Sequence, residues 1–147
     1  MKKRSGHFLR NHSLSIVSIL VLAGCLIACA ETDPKTHWGS FFGNAVADWS
    51  GSVVIILGTK FLLEKGSSQS RTVRRVFKNP ILNFLYEHSL LLFLILTGIG
   101  WAILYARMNC ESKWGQVVGN IVSEWVQMFG LVFLTKKLIE RGSKESR

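Results

Sequence analysis

Two acidic residues inside apolar segments are the side chains of this sequence best placed to do chemistry. Asp48 and Glu124 each occur well inside a long apolar segment, roughly 10 Å from its beginning at the rise of a helix. A carboxyl group at such a depth in a bilayer costs on the order of 3 kcal/mol, so its presence calls for a role. Further polar residues on the same helical faces complete a candidate intramembrane polar site: Asn44, Asn120, Thr59, Thr135 and Gln127.

Three interpretations of the two carboxyl groups are open from the sequence. They can hydrogen-bond to asparagine, tryptophan or backbone groups of other helices and hold a bundle together. They can instead face a water-filled crevice and carry protons or cations. In the third interpretation the segments begin as interfacial helices, and the carboxylates are simply hydrated. A transport role requires the two groups to face each other or water, whereas a structural role requires neighbouring polar groups to seal them.

An internal repeat explains why the acidic residue occurs twice. Aligned on itself with an offset of 76 residues and no gap, the sequence has 24 identities in the 64 positions from Phe8 to Arg71. The offset also places Asp48 opposite Glu124. We therefore predict a tandem duplication of a two-helix hairpin, with repeats at residues 1–71 and 84–147 and a basic linker at 72–83.

Four apolar blocks predict an all-α membrane protein with four transmembrane helices. The blocks cover residues 14–30, 41–63, 89–105 and 117–134. Of the 18 lysines and arginines, 15 lie on one side of these blocks, and the positive-inside rule places that side in the cytoplasm. Both termini are then cytoplasmic, and the two hairpins run parallel about a pseudo-twofold axis along the membrane normal.

The second and fourth spans carry two further repeated features. Trp38 and Trp114 open these spans, where tryptophan typically anchors a helix at the membrane interface. Small residues recur along the spans at helical spacing and predict close packing, either between the two spans or within each hairpin. These helix-packing residues are Gly39, Gly43, Ala47, Gly51, Gly115, Gly119 and Ser123.

Charged and histidine residues at the ends of the spans also repeat. His12 and His88 are predicted either to relay protons or, more commonly for such positions, to cap a span at the interface. Glu64 and Glu140 lie among lysines and arginines just beyond the second and fourth spans. We expect them to form hydrated ion pairs at helix ends that contribute little stability.

Composition excludes several classes of protein. The net charge of +9 does not indicate a nucleic-acid partner, because the basic residues flank apolar blocks instead of forming a stripe on a polar fold. The sequence contains no Cys-x-x-Cys motif and no histidine and cysteine cluster with metal-ligand spacing, and Cys25 and Cys29 are predicted to be small packing residues. With no nucleophile–base pair and no phosphate-binding glycine loop, neither a metal, nor a cofactor, nor an enzymatic activity is expected.

The N-terminus resembles a cleavable signal in two places. Leu22-Ala23-Gly24-Cys25 is similar to a lipoprotein signal, and Ala28-Cys29-Ala30 to a signal-peptidase site. Apolar residues continue past Cys25, and the segment aligns without a gap on the third span. These features favour an uncleaved first span, with cleavage or lipidation at Cys25 left open.

The basic segment at residues 71–78 is predicted to bind anionic lipid headgroups. Each of its cations contributes about 1 kcal/mol of attraction near such a surface. An acidic cytoplasmic partner is the alternative. The other expected partners are the lipid bilayer itself and either a second copy of the chain, as a homo-oligomer, or another membrane protein.

Three short motifs carry a resemblance to a known family. They are Glu87-His88-Ser89-Leu90, Ser123-Glu124-Trp125-Val126-Gln127 and Arg141-Gly142-Ser143-Lys144-Glu145-Ser146. Through them residues 83–147 resemble a family of small bacterial membrane proteins classed as a domain of unknown function. The first half departs from the pattern at Asp48, Gly51 and Ser68-Gln69. The resemblance implies a bacterial membrane protein and brings no activity or cofactor.

These observations favour a non-enzymatic accessory or assembly subunit of the bacterial cytoplasmic (inner) membrane. The alternative is a small proton or cation channel or transporter that uses Asp48 and Glu124. A membrane enzyme is the least favoured class, because no catalytic arrangement of residues is recognisable.

Overall fold

The chain folds into five helices, and the residues that the structure describes contain no strand. The structure is a computed structural model that describes residues 3–71, 75–138 and 143, with side chains from Arg10 onward. The helices are α1 (Lys3–Glu31), α2 (His37–Phe61), α3 (Pro80–Glu87), α4 (Ser89–Arg107) and α5 (Lys113–Leu134).

Four of the helices are long and apolar enough to cross a membrane, which confirms the all-α, multi-pass prediction. The apolar windows are Arg10–Glu31, His37–Phe61, Ser89–Arg107 and Lys113–Leu134. Both α2 and α5 begin ahead of the apolar blocks that predicted them, because polar caps start the helices. The hydroxyl oxygens of Thr36 and Ser112 accept hydrogen bonds from Gly39 N and Gly115 N.

The long helices pack in the spatial order α1, α2, α5, α4. The hairpins α1–α2 and α4–α5 are therefore joined through α2 and α5. Two contacts show that α2 and α5 run parallel: Gly43 lies against Val117, and Ser67 is hydrogen-bonded to Thr135 much farther along both segments. The loops within the hairpins (32–36 and 108–112) lie together at the loop end of the bundle. The segments that follow α2 and precede α4 form the opposite linker end.

The loop end is tied together by a lysine that caps a helix. Lys113 Nζ, at the start of α5, donates to the backbone carbonyl oxygens of Cys29 at 3.1 Å and Ala30 at 2.9 Å. Carbonyl groups at a helix C-terminus lack partners within the helix and carry partial negative charge, which a cation offsets. This contact links the second hairpin to the first.

The linker end contains a helix, α3, that the apolar pattern did not predict. Asn79 caps it through its side chain, and Pro80 occupies its first turn. The helical path breaks at His88, and the extended segment after α2 pairs with the break: Lys65 N donates to Glu87 O at 2.8 Å, and Leu90 N donates to Leu63 O at 2.9 Å. The equivalent stretch of the first repeat is part of the unbroken helix α1.

Candidate functional site

The two intramembrane carboxyl groups face each other across the contact between α2 and α5. Asp48 and Glu124 lie within hydrogen-bonding reach of one another, and the Asp48 side chain is exposed. Room for Glu124 is provided by a glycine, since a Cβ added at Gly51 would lie only 3.0 Å from Glu124 Oε2. Asp48 and Glu124, which occupy equivalent positions of the repeat, thus meet at the contact between the two helices.

The asparagines form the second contact of this kind. Asn120 Nδ2 donates to Asn44 Oδ1, so the amides pair with each other and not with the carboxyl groups. The indole N–H of Trp125 donates to Thr97 Oγ1 at 2.9 Å and likewise does not reach the carboxyl groups. The described contacts therefore pair acid with acid and amide with amide across the two helices.

Polar side chains extend from these contacts along one open side of the helix pair. Along α2, Asn44, Asp48 and Ser52 recur every four residues and are exposed. Along α5, Ser123 and Gln127 are exposed beside the partly exposed Asn120 and Glu124. We call this set the polar face: Asn44, Asp48, Ser52, Asn120, Ser123, Glu124 and Gln127. Ser52 was not among the predicted site residues, although its spacing from Asp48 could have identified it.

The predicted threonines do not join the polar face. The hydroxyl of Thr59 donates to Ile55 O at 2.6 Å, and that of Thr135 donates to Leu131 O at 2.8 Å, so each satisfies its own helix. The hydroxyl groups of Ser67 and Thr135 are also hydrogen-bonded to each other, with 2.9 Å between the two oxygens. These residues lie at the linker end, apart from the carboxyl pair.

A cavity of about 420 Å³ adjoins the polar face at the loop end. Asn44 and Asn120 form part of its wall, together with Lys113, Gln116, Tyr105 and Cys110. Its lining is largely polar, so water can enter it. The cavity therefore brings solvent close to the asparagine pair, which lies one helical turn from the carboxyl groups.

An apolar layer separates this polar region from the linker end. Met128 and Val132 of α5 pack with Leu90 and Leu94 of α4, and these four side chains are almost completely buried. None of these four side chains can relay a proton.

The linker end contains a buried ionic cluster, which corrects the expectation for Glu64. The Glu64 side chain has 0% exposure and accepts from Lys136 Nζ at 2.7 Å. Its Oε1 also lies 2.6 Å from His88 Nδ1, and its Oε2 accepts from Leu91 N at 3.2 Å. The hydrated ion pair predicted for Glu64 is wrong, because its partners lie far along the chain and enclose it. Glu140, for which the same was expected, lies outside the described residues.

A second ion pair adjoins this cluster and is partly open to solvent. Lys65 Nζ donates to Glu87 Oε2 at 2.8 Å, and Asn83 Nδ2 donates to Glu87 Oε1 at 2.7 Å. The hydrogen bonds from Lys65 and Asn83, in that order, lower the pKa of Glu87 from its ordinary value. Glu87 therefore stays ionised and holds α3 against the segment after α2.

The small residues predicted to pack helices have several different neighbours. Gly43 and Gly51 face α5, through Val117 and through Glu124 with Met128. Gly119 faces Tyr105 within its own hairpin. Gly39 and Gly115 instead meet the carbonyl oxygens of Asp33 and Asn109 in the hairpin loops. Of the remaining two, Ala47 is buried and Ser123 is exposed.

The remaining candidate residues lie at the surface. Trp38 is 67% exposed and Trp114 is 45% exposed, both near the loop end. His12 lies at the linker end, with Nδ1 3.3 Å from Lys60 Nζ. Among the described residues, no group of three or more histidine, cysteine, aspartate or glutamate side chains is arranged to hold a metal ion.

Comparison with known proteins gives no match to a protein-family model, to a curated protein or to a solved structure. The resemblance of residues 83–147 to small bacterial membrane proteins therefore stays a prediction.

Proposed function

We propose that this chain is a non-enzymatic accessory or assembly subunit of the bacterial cytoplasmic membrane that binds another protein through its polar face. Tandem duplication of a hairpin accounts for the 24 identities between the two halves. The excess of lysine and arginine at the linker end supports a cytoplasmic location for that end and for both termini.

The observation that carries the proposal is the exposure of the polar face at membrane depth. Lipid chains provide no hydrogen-bond partner, so each unsatisfied polar group in hydrocarbon costs several kcal/mol. A hydrogen bond between two membrane helices contributes about 1 kcal/mol. Asp48, Ser52, Ser123 and Gln127 all expose their side chains along one side of α2 and α5. Another polar helix is the neighbour that satisfies them, either from a second copy or from a different membrane protein.

Site-specific photo-cross-linking in native membranes tests this proposal. A photoreactive amino acid at Ser52 or Ser123 is expected to yield discrete protein adducts. Leu20 and Leu96 are the matched controls, because they are apolar, 65% and 70% exposed, and lie on α1 and α4. We expect them to label lipid only. The mass of the adduct distinguishes a homo-oligomer from a different partner, and folded protein without adducts at Ser52 and Ser123 would contradict the proposal.

The carboxyl contact favours a second candidate, a proton or cation pathway through Asp48 and Glu124. Two acids within hydrogen-bonding reach can share a proton, and the loop-end cavity brings water near them. The apolar layer around Met128 and Val132 opposes this function in a single copy.

Ion flux in liposomes separates the two functions. We expect the purified protein to conduct neither protons nor monovalent cations under an imposed potential. Flux that an Asp48→Asn/Glu124→Gln variant abolishes while it remains folded would replace the assembly role with transport. Flux that persists in that variant would place a pathway elsewhere.

A further inference from the structure

Three side chains of the polar face make no hydrogen bond within the part of the chain that the structure describes. They are Ser52, Ser123 and Gln127, and all three are exposed. A hydroxyl group in a helix commonly donates to a carbonyl oxygen one turn earlier, as that of Thr59 does to Ile55 O at 2.6 Å, but the two serines do not. Their hydroxyl groups and the amide of Gln127 therefore need partners at a depth where lipid provides none.

The contacts between α2 and α5 determine the relative depth of these groups. Asn120 Nδ2 donates to Asn44 Oδ1, and Glu124 lies within hydrogen-bonding reach of Asp48. In both contacts the partners are 76 residues apart, which is the offset of the repeat. Because α2 and α5 run parallel, a residue of α2 lies at the same depth as the α5 residue 76 positions later.

Two donors of α5 match two polar groups of α2 in depth. Ser123 lies one helical residue, or about 1.5 Å, from the depth of Asp48. Gln127 lies the same distance from the depth of Ser52. A hydroxyl group can donate to a carboxyl group, and a primary amide can both donate to a hydroxyl group and accept from it. The polar groups of α5 thus complement those of α2, although within one chain these pairs are not formed.

A second copy in the same orientation brings these complementary groups together. The excess of lysine and arginine at the linker end favours one orientation for every copy, so a closed pair has its twofold axis along the membrane normal. Rotation about this axis preserves depth. Because α2 and α5 lie side by side on the polar face, the rotation places α2 of each copy against α5 of the other. The contact between α2 and α5 inside the chain is then continued between chains.

We infer that the polar face binds a second copy of this chain in a parallel, twofold-symmetric pair. Asp48 meets Ser123 of the second copy, Ser52 meets Gln127 of the second copy, and symmetry forms each contact twice. The inference rests on the proposed role of the polar face as a binding surface and names its partner. A different membrane protein would need a hydroxyl group and an amide at the same two depths, which a second copy supplies.

The carboxyl groups are compatible with this pairing. A hydrogen bond between Asp48 and Glu124 requires a proton, so each copy carries at most one negative charge at this depth. A hydroxyl donor, that of Ser123 from the second copy, is placed opposite Asp48. Serine is also small enough to let two membrane helices approach closely.

Cysteine cross-linking in native membranes tests the inference, in a chain whose three cysteines are replaced by alanine. We expect a copy with Ser52→Cys and a differently tagged copy with Gln127→Cys to form a covalent heterodimer with a short bifunctional thiol reagent. Leu20→Cys with Leu96→Cys is the matched control, since these residues are equivalent in the repeat, 65% and 70% exposed, and lie on α1 and α4. We expect no heterodimer from the control, and equal yields from the two pairs would overturn the inference.

A chain that carries both Ser52→Cys and Gln127→Cys tests the symmetry. Both contacts close between the same two copies, so the covalent dimer should be the largest product. A ladder of larger adducts would overturn the twofold pair. Adducts of Ser52 with a different protein, without the heterodimer, would overturn the second copy as partner and leave the assembly role intact. Folded protein with neither product would overturn both.

Gln127→Leu tests the assigned contacts without a cross-linker. Energy transfer between labelled copies in liposomes should show about tenfold weaker dimerisation, at about threefold for each of the two symmetry-related contacts. Val126→Leu is the matched control, because it changes the adjacent, 65% exposed position of α5 and removes no polar group. Unfolding midpoints establish that both variants are folded, and Gln127→Ala replaces the first if it is not. Equal dimerisation of the two variants would overturn the contact of Gln127 with Ser52.

Discussion

Glu64 and Lys136, 72 residues apart in sequence, form an ion pair of 2.7 Å in which the carboxylate has no exposed surface. Glu64 follows the last helix of the first hairpin, and Lys136 follows the last helix of the second. The pair therefore joins the two hairpins at the linker end, as Lys113 does at the loop end. These two contacts thus link the hairpins at both ends of the bundle, to the segment after α2 at the linker end and to α1 at the loop end.

Replacement of Glu64 by glutamine is expected to destabilise the fold strongly. It leaves Lys136 without its counter-ion in a site where only 20% of the lysine side chain is exposed. Removal of one partner from a buried pair costs about 3–5 kcal/mol, and the residual exposure of Lys136 reduces this to about 2–4 kcal/mol. The free energy of unfolding in detergent micelles measures the effect. Glu31→Gln, at an exposed site, should be nearly neutral, and equal losses in both variants would refute the role of Glu64.

The pair should also show strong coupling in a double-mutant cycle. Lys136→Met leaves the Glu64 carboxylate short of a cation, and Glu64→Gln leaves Lys136 short of an anion, but the double variant leaves neither. We expect it to be more stable than the sum of the single losses predicts, by about 1–3 kcal/mol. Additive losses within about 0.5 kcal/mol would show that the two residues act independently.

Acid should weaken the contact between α3 and the segment after α2 through Glu87. Hydrogen bonds from Lys65 and then Asn83 lower the pKa of Glu87 beneath its ordinary 4.5. The carboxylate thus stabilises the fold at every pH above about 4.5, and this contribution is lost as the pH falls through the lower pKa of the folded state. Unfolding midpoints between neutral and strongly acidic pH measure it.

Glu87→Gln isolates this contribution from those of other carboxylates. The variant should be less stable than the natural chain at neutral pH, and the difference should shrink below pH 4.5, where both side chains become neutral. Glu111→Gln, an exposed residue of the loop end, should parallel the natural chain at all pH values. A difference for Glu87→Gln that stays constant into acid would contradict this prediction.

The fold class followed from the sequence because membrane helices are specified by local hydropathy. The linker end did not, since its structure depends on residues far apart in the chain. Glu64 follows an apolar block among cations, which is the usual context of a hydrated residue, and nothing local indicates that His88 and Lys136 enclose it. The pairing of Asn79 with Pro80 was a local signal for α3, as a helix cap before a proline of the first turn.

The sequence predicted which residues form the candidate site, but not which of them contact one another. Helical spacing placed Asn44 and Asp48 on one face, and the repeat identified their equivalents. It could not show that Asp48 approaches Glu124, because the rotation of two helices about their axes depends on the packing of Gly43, Gly51 and their neighbours. Equivalent glycines have different neighbours for the same reason: Gly43 faces α5, and Gly119 faces Tyr105 of α4.

Replacement of Thr97 by valine should cost more than the loss of one exposed hydroxyl group. Thr97 Oγ1 accepts the indole N–H of Trp125, which is 5% exposed, so the variant leaves a buried donor unpaired. We expect a loss of about 1–3 kcal/mol in the free energy of unfolding. In a Trp125→Phe background, which has no such donor, the same replacement should cost much less. An equal loss in both backgrounds would assign the effect to the threonine alone.

Replacement of Gly39 by alanine should destabilise the first hairpin, whereas Gly130→Ala should not. A methyl group at Gly39 would overlap the backbone carbonyl of Asp33, which cannot move without opening the loop between α1 and α2. Such overpacking typically costs about 1–3 kcal/mol. Gly130 has no atom within 4 Å of an added Cβ, so its replacement only improves helix propensity, by up to about 1 kcal/mol. Unfolding free energies of the two variants provide the comparison, and a Gly39→Ala variant as stable as Gly130→Ala would show that the loop does not require this close approach.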